Sequence, residues 1–169
     1  IMTIILYLSG RILFKNNDIK QMGYYALLTI LLIVIDSVIG TYFMKNCIMS
    51  YDAIVGARYY GIGNEYEGVT IASAVFALSV LLNYKKMPKW LTIVLSVIIL
   101  ITSAFPSMGA NVGGAISECV AYLLFIMLIF DVKLDLKTIM ILGLAAVVLV
   151  LVFAGLDVVL GMESHLGVF

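Results

Sequence analysis

The sequence is poor in charged residues, cysteine and histidine. Charged side chains make up 12% of its 169 residues, about half the share found in soluble domains. The two cysteines, Cys47 and Cys119, are far apart and form neither a CxxC redox pair nor a metal-binding spacing. The single histidine, His165, has no second His or Cys nearby, which argues against a zinc site. We therefore expect no metal and no cofactor.

The chain consists largely of long apolar runs. Hydrophobic residues make up 64% of the chain, and several runs reach about 18 residues, the length that crosses a hydrocarbon core of roughly 30 Å. No stretch has the composition of a soluble domain, and none forms the basic patch typical of nucleic-acid binding. We expect an all-α, polytopic transmembrane helical bundle whose partners are membrane lipids and not nucleic acid.

Hydropathy divides the chain into one partial and five complete membrane spans. The partial span covers residues 1–14. The complete spans are expected at residues 22–44, 68–84, 90–105, 113–130 and 138–156. Because the chain starts at Ile1 and its first apolar run is too short to cross a bilayer, we interpret residues 1–169 as a fragment that forms a single transmembrane domain.

The basic residues alternate between connections. Eight of the ten lie in three connections, near residues 11–21, 85–89 and 131–137. Cytoplasmic loops are enriched in Lys and Arg, so we place these connections in the cytoplasm of a bacterial cell with a multi-pass protein in its cytoplasmic membrane. The polar, glycine-rich segments then face the extracytoplasmic side; they are residues 56–68, 105–114 and 157–169.

The first outer segment, "GARYYGIGNEYEG", combines an arginine with glycines at the start of a span. A guanidinium group suits phosphate or carboxylate, and glycines let the backbone approach a ligand. Asn64 can cap the following helix, whose exposed amides favour anions. The alternatives are an arginine that snorkels or pairs with a nearby acid, and a plain helix cap. The predicted substrate-binding residues here are Arg58, Gly61, Gly63, Asn64 and Glu65.

The second outer segment, "FPSMGANVGG", leads to an ionisable residue within a span. Asn111 is a further predicted substrate-binding residue, and Glu118 lies beyond the turn in an apolar run. A charge at such a position is costly and usually faces the bundle interior or a wet cavity. Asp36 is likewise an ionisable residue within a predicted span, the second one. Glu118 is the better site candidate, because it lies nearer the outer face. Both carboxylates have a structural alternative, hydrogen bonding to Ser, Tyr or backbone groups.

His165, in the last outer segment, is the other predicted catalytic residue beside Glu118. An imidazole titrates near neutrality and can act as a general base. The alternative is an incidental loop histidine.

Two family resemblances connect these motifs. "GARYYGIGNEYEGV", "PSMGANVGG" and "SHLG" resemble an uncharacterised multi-pass membrane protein family of Gram-positive bacteria. Arg58, Gly61, Asn64 and Gly68 are also remotely similar, in approximate register, to the R-x-x-G-x-x-x-N-x-x-x-x-G segment of the O-antigen ligase and polymerase superfamily. That resemblance implies metal-independent glycan transfer from a polyprenyl-diphosphate carrier, with Arg58 on the diphosphate and His165 activating an acceptor hydroxyl.

The expected function is therefore action on a polyprenyl-diphosphate-linked glycan at the outer face. Whether the protein is an enzyme stays open; if it is one, we expect a metal-independent glycan transferase. A transporter or flippase is the first alternative, because Asp36 and Glu118 within spans suit a substrate pathway. The second is a non-catalytic membrane scaffold whose glycines serve helix packing.

Overall fold

The described part of the chain is all-helical. The computed structural model describes residues 2–15, 17–46, 61–105, 107–133 and 135–160. Within these ranges the chain forms seven α-helices and no strand. The helices are α1 (Met2–Phe14), α2 (Asp18–Val38), α3 (Tyr42–Lys45), α4 (Asn64–Lys85), α5 (Lys89–Ala104), α6 (Val112–Ile129) and α7 (Leu136–Leu160). The prediction of an all-α chain is confirmed for these residues.

Two of the described helices, α2 and α4, are long and apolar enough to cross a membrane. The remaining apolar stretches are shorter; they are Ile4–Phe14, Lys89–Ala104, Gly113–Ile129 and Leu136–Val148. Five complete spans are therefore not shown by length and composition. The helices establish an all-helical chain with two candidate membrane helices.

A turn interrupts the chain where the sequence predicts one continuous helix over residues 22–44. Helix α2 ends at Val38, and two residues with positive φ follow, Gly40 at 95° and Thr41 at 59°. Helix α3 then begins at Tyr42. Left-handed backbone cannot continue a right-handed helix, so these two residues turn the chain although the surrounding sequence is apolar.

The helices pack around a shared core. Helix α2 packs along α4, α5 along α6, and α6 also contacts α4 and α7. Ile30, Ala74, Ile99 and Tyr122 come from four different helices and form one buried cluster. Four helices therefore enclose a common interior, and any polar group inside it must find its partner there.

The three basic connections lie at one end of the bundle. The Lys20 ammonium lies 4.7 Å from the centre of the Tyr84 ring, which joins the start of α2 to the end of α4. The Lys89 ammonium donates to the Ile129 carbonyl, which joins the start of α5 to the end of α6. We call this the basic end. Its neighbouring helices run antiparallel, so the segments between α2 and α4 and between α5 and α6 lie at the opposite end.

Candidate functional site

The two glycine-rich segments interlock at the end opposite the basic end. The Ile62 amide donates to the Gly109 carbonyl at 2.6 Å, and the Gly61 amide donates to the Thr41 hydroxyl at 3.3 Å. Gly61 has φ +85°, and a Cβ placed there would lie 2.3 Å from the Gly109 carbonyl oxygen. Only glycine fits this turn without strain. We call this the glycine end.

Asn111 connects the two segments to the helices below them. It is the N-cap of α6, and its side-chain oxygen accepts from the Gly114 amide at 2.8 Å. Its side-chain nitrogen donates to Glu67 Oε2 at 3.3 Å and to Asn64 Oδ1 at 3.5 Å. The Asn111 side chain is fully buried. One amide therefore caps α6 and positions two side chains of α4.

Glu118 is the deepest ionisable group of this end. It is 0% exposed. Its Oε1 accepts hydrogen bonds from Ser103 Oγ at 3.2 Å and from Tyr122 Oη at 3.1 Å. Neither donor carries a charge. Ser103 comes from α5 and Tyr122 from one turn further along α6, so the carboxyl group is held between two helices.

The Glu67 carboxyl group packs against Gly114, one turn before Glu118 on α6, and interacts with the Glu118 carboxyl group. Glu67 is 3% exposed. The second oxygen of Glu118, Oε2, is buried and receives no hydrogen bond from a described N–H or O–H donor. Two ionised carboxylates only accept hydrogen bonds, so a contact between them requires a proton or another cation. The two buried carboxyl groups can therefore bind a proton or another cation between them.

The residues of this arrangement form one continuous network, which we call the carboxylate cluster. Its members are Asn64, Glu67, Ser103, Asn111, Glu118 and Tyr122. Positive partial charge at a helix N-terminus acts on the first turn, where Glu67 lies, and fades by the second turn of α6, where Glu118 lies. The helix ends therefore favour an ionised Glu67 more than an ionised Glu118.

The donor atoms of the cluster are those that hard cations prefer. In the described ranges no three His, Cys, Asp or Glu side chains come together to hold a metal ion. The cluster offers two carboxylates, with amide and hydroxyl oxygens around them. Oxygen donors of this kind suit hard cations.

Asp36, the other carboxylate predicted within a span, has a structural role. It is 4% exposed and accepts from the backbone amides of Phe43 at 2.9 Å and Met44 at 2.7 Å. These charge-assisted bonds fasten α3 onto the end of α2. Asp36 also borders an apolar cavity of about 350 Å³ with Leu32 and Tyr66. Its hydrogen bonds explain its burial without a ligand.

Most of the predicted site residues that the structure describes come together at the glycine end. Those brought together are Gly61, Gly63, Asn64, Asn111 and Glu118. Glu65 is exposed and lies outside the cluster. Arg58 and His165 lie outside the described residues. The prediction that Asn64 caps α4 is wrong, because Gly63 occupies the N-cap position and Asn64 is the first helical residue.

Three cluster members are missing from the predicted site: Glu67, Ser103 and Tyr122. For Glu67 and Tyr122, the spacing to another cluster member carried a usable signal; for Ser103 it did not. Asn64 and Glu67 are three residues apart, and Glu118 and Tyr122 are four apart. Residues at these spacings share one face of a helix, so the pair in the first turn of α4 and the pair further along α6 marked the faces that meet.

Comparisons with known proteins find nothing similar: no family model, no curated protein and no solved structure matches the chain. The two family resemblances stay predictions. Functional inference therefore depends on the geometry of the carboxylate cluster.

Proposed function

We propose that the chain is a multi-pass protein of a bacterial cytoplasmic membrane, with five complete spans and one partial span. Large hydrophobic side chains on several helices support this proposal, because they face outward in the described structure. Examples are Leu32 at 65% exposure, Val97 at 45% and Leu144 at 65%. Soluble monomers rarely expose such continuous apolar surface. A lipid environment covers it without a protein partner.

In this proposal the basic end faces the cytoplasm and the glycine end faces outward. The support is the separation of charge along the bundle. The basic connections are held together by Lys20 against Tyr84 and by Lys89 against Ile129, and lysine-rich connections stay on the cytoplasmic side. The carboxylate cluster is then close to the extracytoplasmic face.

For its activity, we propose that the protein binds and moves a small monovalent cation, H⁺ or Na⁺, as the membrane-embedded part of a cation-coupled transporter. One observation carries this proposal: Glu118 is fully buried, interacts with Glu67, and has one oxygen without a described donor. Ionisable residues inside membrane bundles commonly belong to ion or proton pathways. A cation between the two carboxyl groups resolves their repulsion.

The glycan substrate fits the described cluster less well. A diphosphate is an anion, and two carboxylates repel it. The second outer segment, residues 105–114, contains no Lys or Arg. Glu118 and Asn111 are fully buried, which suits a small ion better than a sugar.

The test reconstitutes the full-length protein into sealed vesicles. A dye inside reports H⁺ movement in Na⁺-free buffer, and radioactive sodium reports Na⁺ uptake in a second arm. The variants are Glu118→Gln and Glu67→Gln, which keep side-chain shape and remove the ionisable group. Asp131→Asn, an exposed residue at the basic end, is the matched carboxylate-to-amide control.

We expect flux of one cation in the parent and in Asp131→Asn, and its loss in both glutamate variants. The arm that responds identifies the ion. Equal flux in all four proteins would overturn the role of the cluster, and a parent without H⁺ or Na⁺ flux would overturn the proposed activity.

A second candidate function is glycan transfer from a polyprenyl-diphosphate carrier at the outer face. The observation that favours it is the interlocking of the two outer segments, which places Gly61 and Asn64 next to Asn111. Arg58 precedes Gly61 by three residues in the chain. In this alternative, Arg58 binds diphosphate and a cluster carboxylate accepts the proton of the acceptor hydroxyl.

Lipid-linked intermediates decide between the two candidates. In cells that carry Arg58→Ala at normal protein levels, glycan transfer predicts accumulated carrier-linked intermediate and reduced surface polymer. Cation transport predicts unchanged pools of both. The same cells expressing Glu118→Gln show whether the cluster acts in the same process.

A further inference from the structure

One face of α5 carries buried hydroxyl groups along the bundle. Thr92, Ser96 and Ser103 are each at most 1% exposed. Together with Lys89 and Ile99 they follow one another at intervals of three or four residues. That spacing places all five on one face of a helix. From Thr92 to Ser103 this face runs for about 16 Å at 1.5 Å per residue.

The hydroxyl groups of Thr92 and Ser96 differ from other helical hydroxyls of the chain. Both oxygens are buried and have no hydrogen-bond partner among the described residues. Four other helical hydroxyls donate to the carbonyl one turn before them; they belong to Thr29, Ser37, Thr70 and Ser79. This back-bonding is the usual way for a membrane helix to satisfy Ser and Thr. Thr92 and Ser96 therefore lack the hydrogen bond that satisfies these four hydroxyls in the described structure.

One end of this face reaches the carboxylate cluster, and Lys89 at the other end borders a cavity. At the glycine end, Ser103 Oγ donates to Glu118 at 3.2 Å. At the basic end, Lys89 lines a cavity of about 620 Å³ together with Ser79 and Asn83. Thr92 follows Lys89 by three residues on the same face. Along α5, the hydroxyls therefore lie between the carboxylate cluster and this cavity, whose other six lining side chains are apolar.

Between the two regions the face is closed by apolar packing. Ile99 is 7% exposed and Tyr122 is 3% exposed, and both belong to the core cluster. The Tyr122 hydroxyl nevertheless donates to Glu118 at 3.1 Å. On α5 the closure includes Ile99, and the Tyr122 hydroxyl group lies on the side of the carboxylate cluster.

We propose that the hydroxyl face of α5 is the route by which a small monovalent cation travels between the basic-end cavity and the carboxylate cluster. The proposal rests on the proposed cation transport and identifies its path. Thr92 and Ser96 supply oxygens to water molecules or to the ion, as hydroxyls and carbonyls do in selective pores. Buried polar atoms that lack a protein partner are the places where internal water or ions bind.

The first test measures cation flux in vesicles that contain the full-length protein. Thr92→Val keeps the shape of the side chain and removes its hydroxyl, and Ser96→Ala removes the second one. Thr70→Val is the matched control, because Thr70 is equally buried but satisfied by the Tyr66 carbonyl. We expect each α5 variant to lower flux about tenfold, the factor that corresponds to one hydrogen bond lost from the barrier. Thr70→Val keeps the parent flux.

A second test detects the path without transport. In a background in which Cys47 and Cys119 are replaced, Ser96→Cys and Thr70→Cys are exposed to Ag⁺, a thiol-binding cation similar in size to Na⁺. After excess Ag⁺ is removed, the protein is unfolded and free thiols are alkylated and counted by mass spectrometry. We expect Ag⁺ to protect the cysteine at position 96 and to leave that at position 70 open to alkylation.

The outcomes separate this proposal from the activity on which it rests. Flux that needs Glu118 but not Thr92 or Ser96, with position 96 unprotected by Ag⁺, would overturn the path and keep the transport activity. A parent without flux would overturn the transport activity, and an unprotected position 96 in that protein would overturn the path as well.

Discussion

Gly61 is the residue on which the joining of the two glycine-rich segments depends. Its φ of +85° lies in the left-handed region, and a Cβ there would lie 2.3 Å from the Gly109 carbonyl oxygen. That carbonyl accepts the hydrogen bond from the Ile62 amide. A side chain at position 61 must therefore strain the backbone and disturb the contact that holds the glycine end together.

We expect Gly61→Ala to lower the free energy of unfolding by at least about 1–2 kcal/mol, the cost of left-handed backbone for a residue with a Cβ. Thermal unfolding of the purified protein in detergent measures this change. Gly68→Ala is the control, because nothing lies within 4 Å of its added Cβ and alanine favours the helix by roughly 0.5–1 kcal/mol. Equal unfolding temperatures for the two variants would show that the interlocked turn contributes little.

The first turn of α6 packs against α4 and leaves no space for a side chain at Gly114. A Cβ there would lie 2.5 Å from Glu67 Cδ and from Asn111 Nδ2. We expect Gly114→Ala to displace Glu67, to destabilise the protein by about 1–3 kcal/mol through overpacking, and to reduce cation flux. Gly113→Ala is the control, since its Cβ would meet only Asn111 Oδ1, at 3.8 Å. If both variants behave like the parent, Gly114 is not in close contact with Glu67, and α4 and α6 lie farther apart at this point.

The start of α7 contains a capping contact that depends on pH. Asp135 Oδ1 accepts from the Thr138 amide at 2.8 Å and from its hydroxyl at 2.6 Å. These hydrogen bonds hold the pKa of Asp135 below its ordinary value of 3.8. A lowered pKa means that the carboxylate stabilises the folded helix start fully above pH 3.8, and that this stabilisation is lost as the pH falls through the lowered value.

We therefore expect amide exchange in residues 135–140 to rise, relative to Asp135→Asn, as the pH falls below 3.8. Asparagine also caps helices but does not titrate in this range. Hydrogen exchange followed by mass spectrometry, corrected for the intrinsic effect of pH, measures the difference. Parallel exchange curves for the two proteins would rule out the titration of this cap.

The helices were predictable from the sequence because their apolar runs are long, but two details depended on tertiary structure. The break at Gly40 and Thr41 lies within an apolar run and is stabilised by Asp36, which binds amides that follow the turn. Glu65 and Glu67 both lie in the first turn of α4, about 200° apart around the helix. The apolar residues of α4 lie on every face of the helix, so the sequence does not indicate which glutamate is buried. The packing of α4 against α6 decides it.

The sequence predicted only some members of the carboxylate cluster, because the others are identified by contacts between helices. Asn111 and Glu118 stand out in the sequence, since one follows a glycine turn and the other interrupts an apolar run. Ser103 does not stand out, because serine is ordinary in a membrane helix. Its role comes from the contact of α5 with α6, which brings its hydroxyl to Glu118.

For the whole molecule, the separation of charge is the basis of the proposed orientation in a membrane. The basic end collects connections that hold eight of the ten Lys and Arg residues. The glycine end holds Glu65, Glu67 and Glu118. Moving a cluster of lysines across a bilayer during insertion is unfavourable, whereas acidic residues oppose it little. In the proposed orientation, the carboxylate cluster lies at the outer end of the proposed route along α5, and the cavity beside Lys89 lies at its cytoplasmic end.

This orientation predicts which of two exposed positions reacts with a reagent that cannot cross membranes. Lys86 lies at the basic end and Ser107 at the glycine end, and both are exposed. With Cys47 and Cys119 replaced, a charged maleimide added to intact cells should label Ser107→Cys at once, and Lys86→Cys only after the membrane is permeabilised. The reverse pattern would invert the bundle and place the carboxylate cluster in the cytoplasm. Labelling of both positions from outside would mean that the two ends do not lie on opposite sides of a membrane, and the route along α5 would then connect one aqueous side with itself.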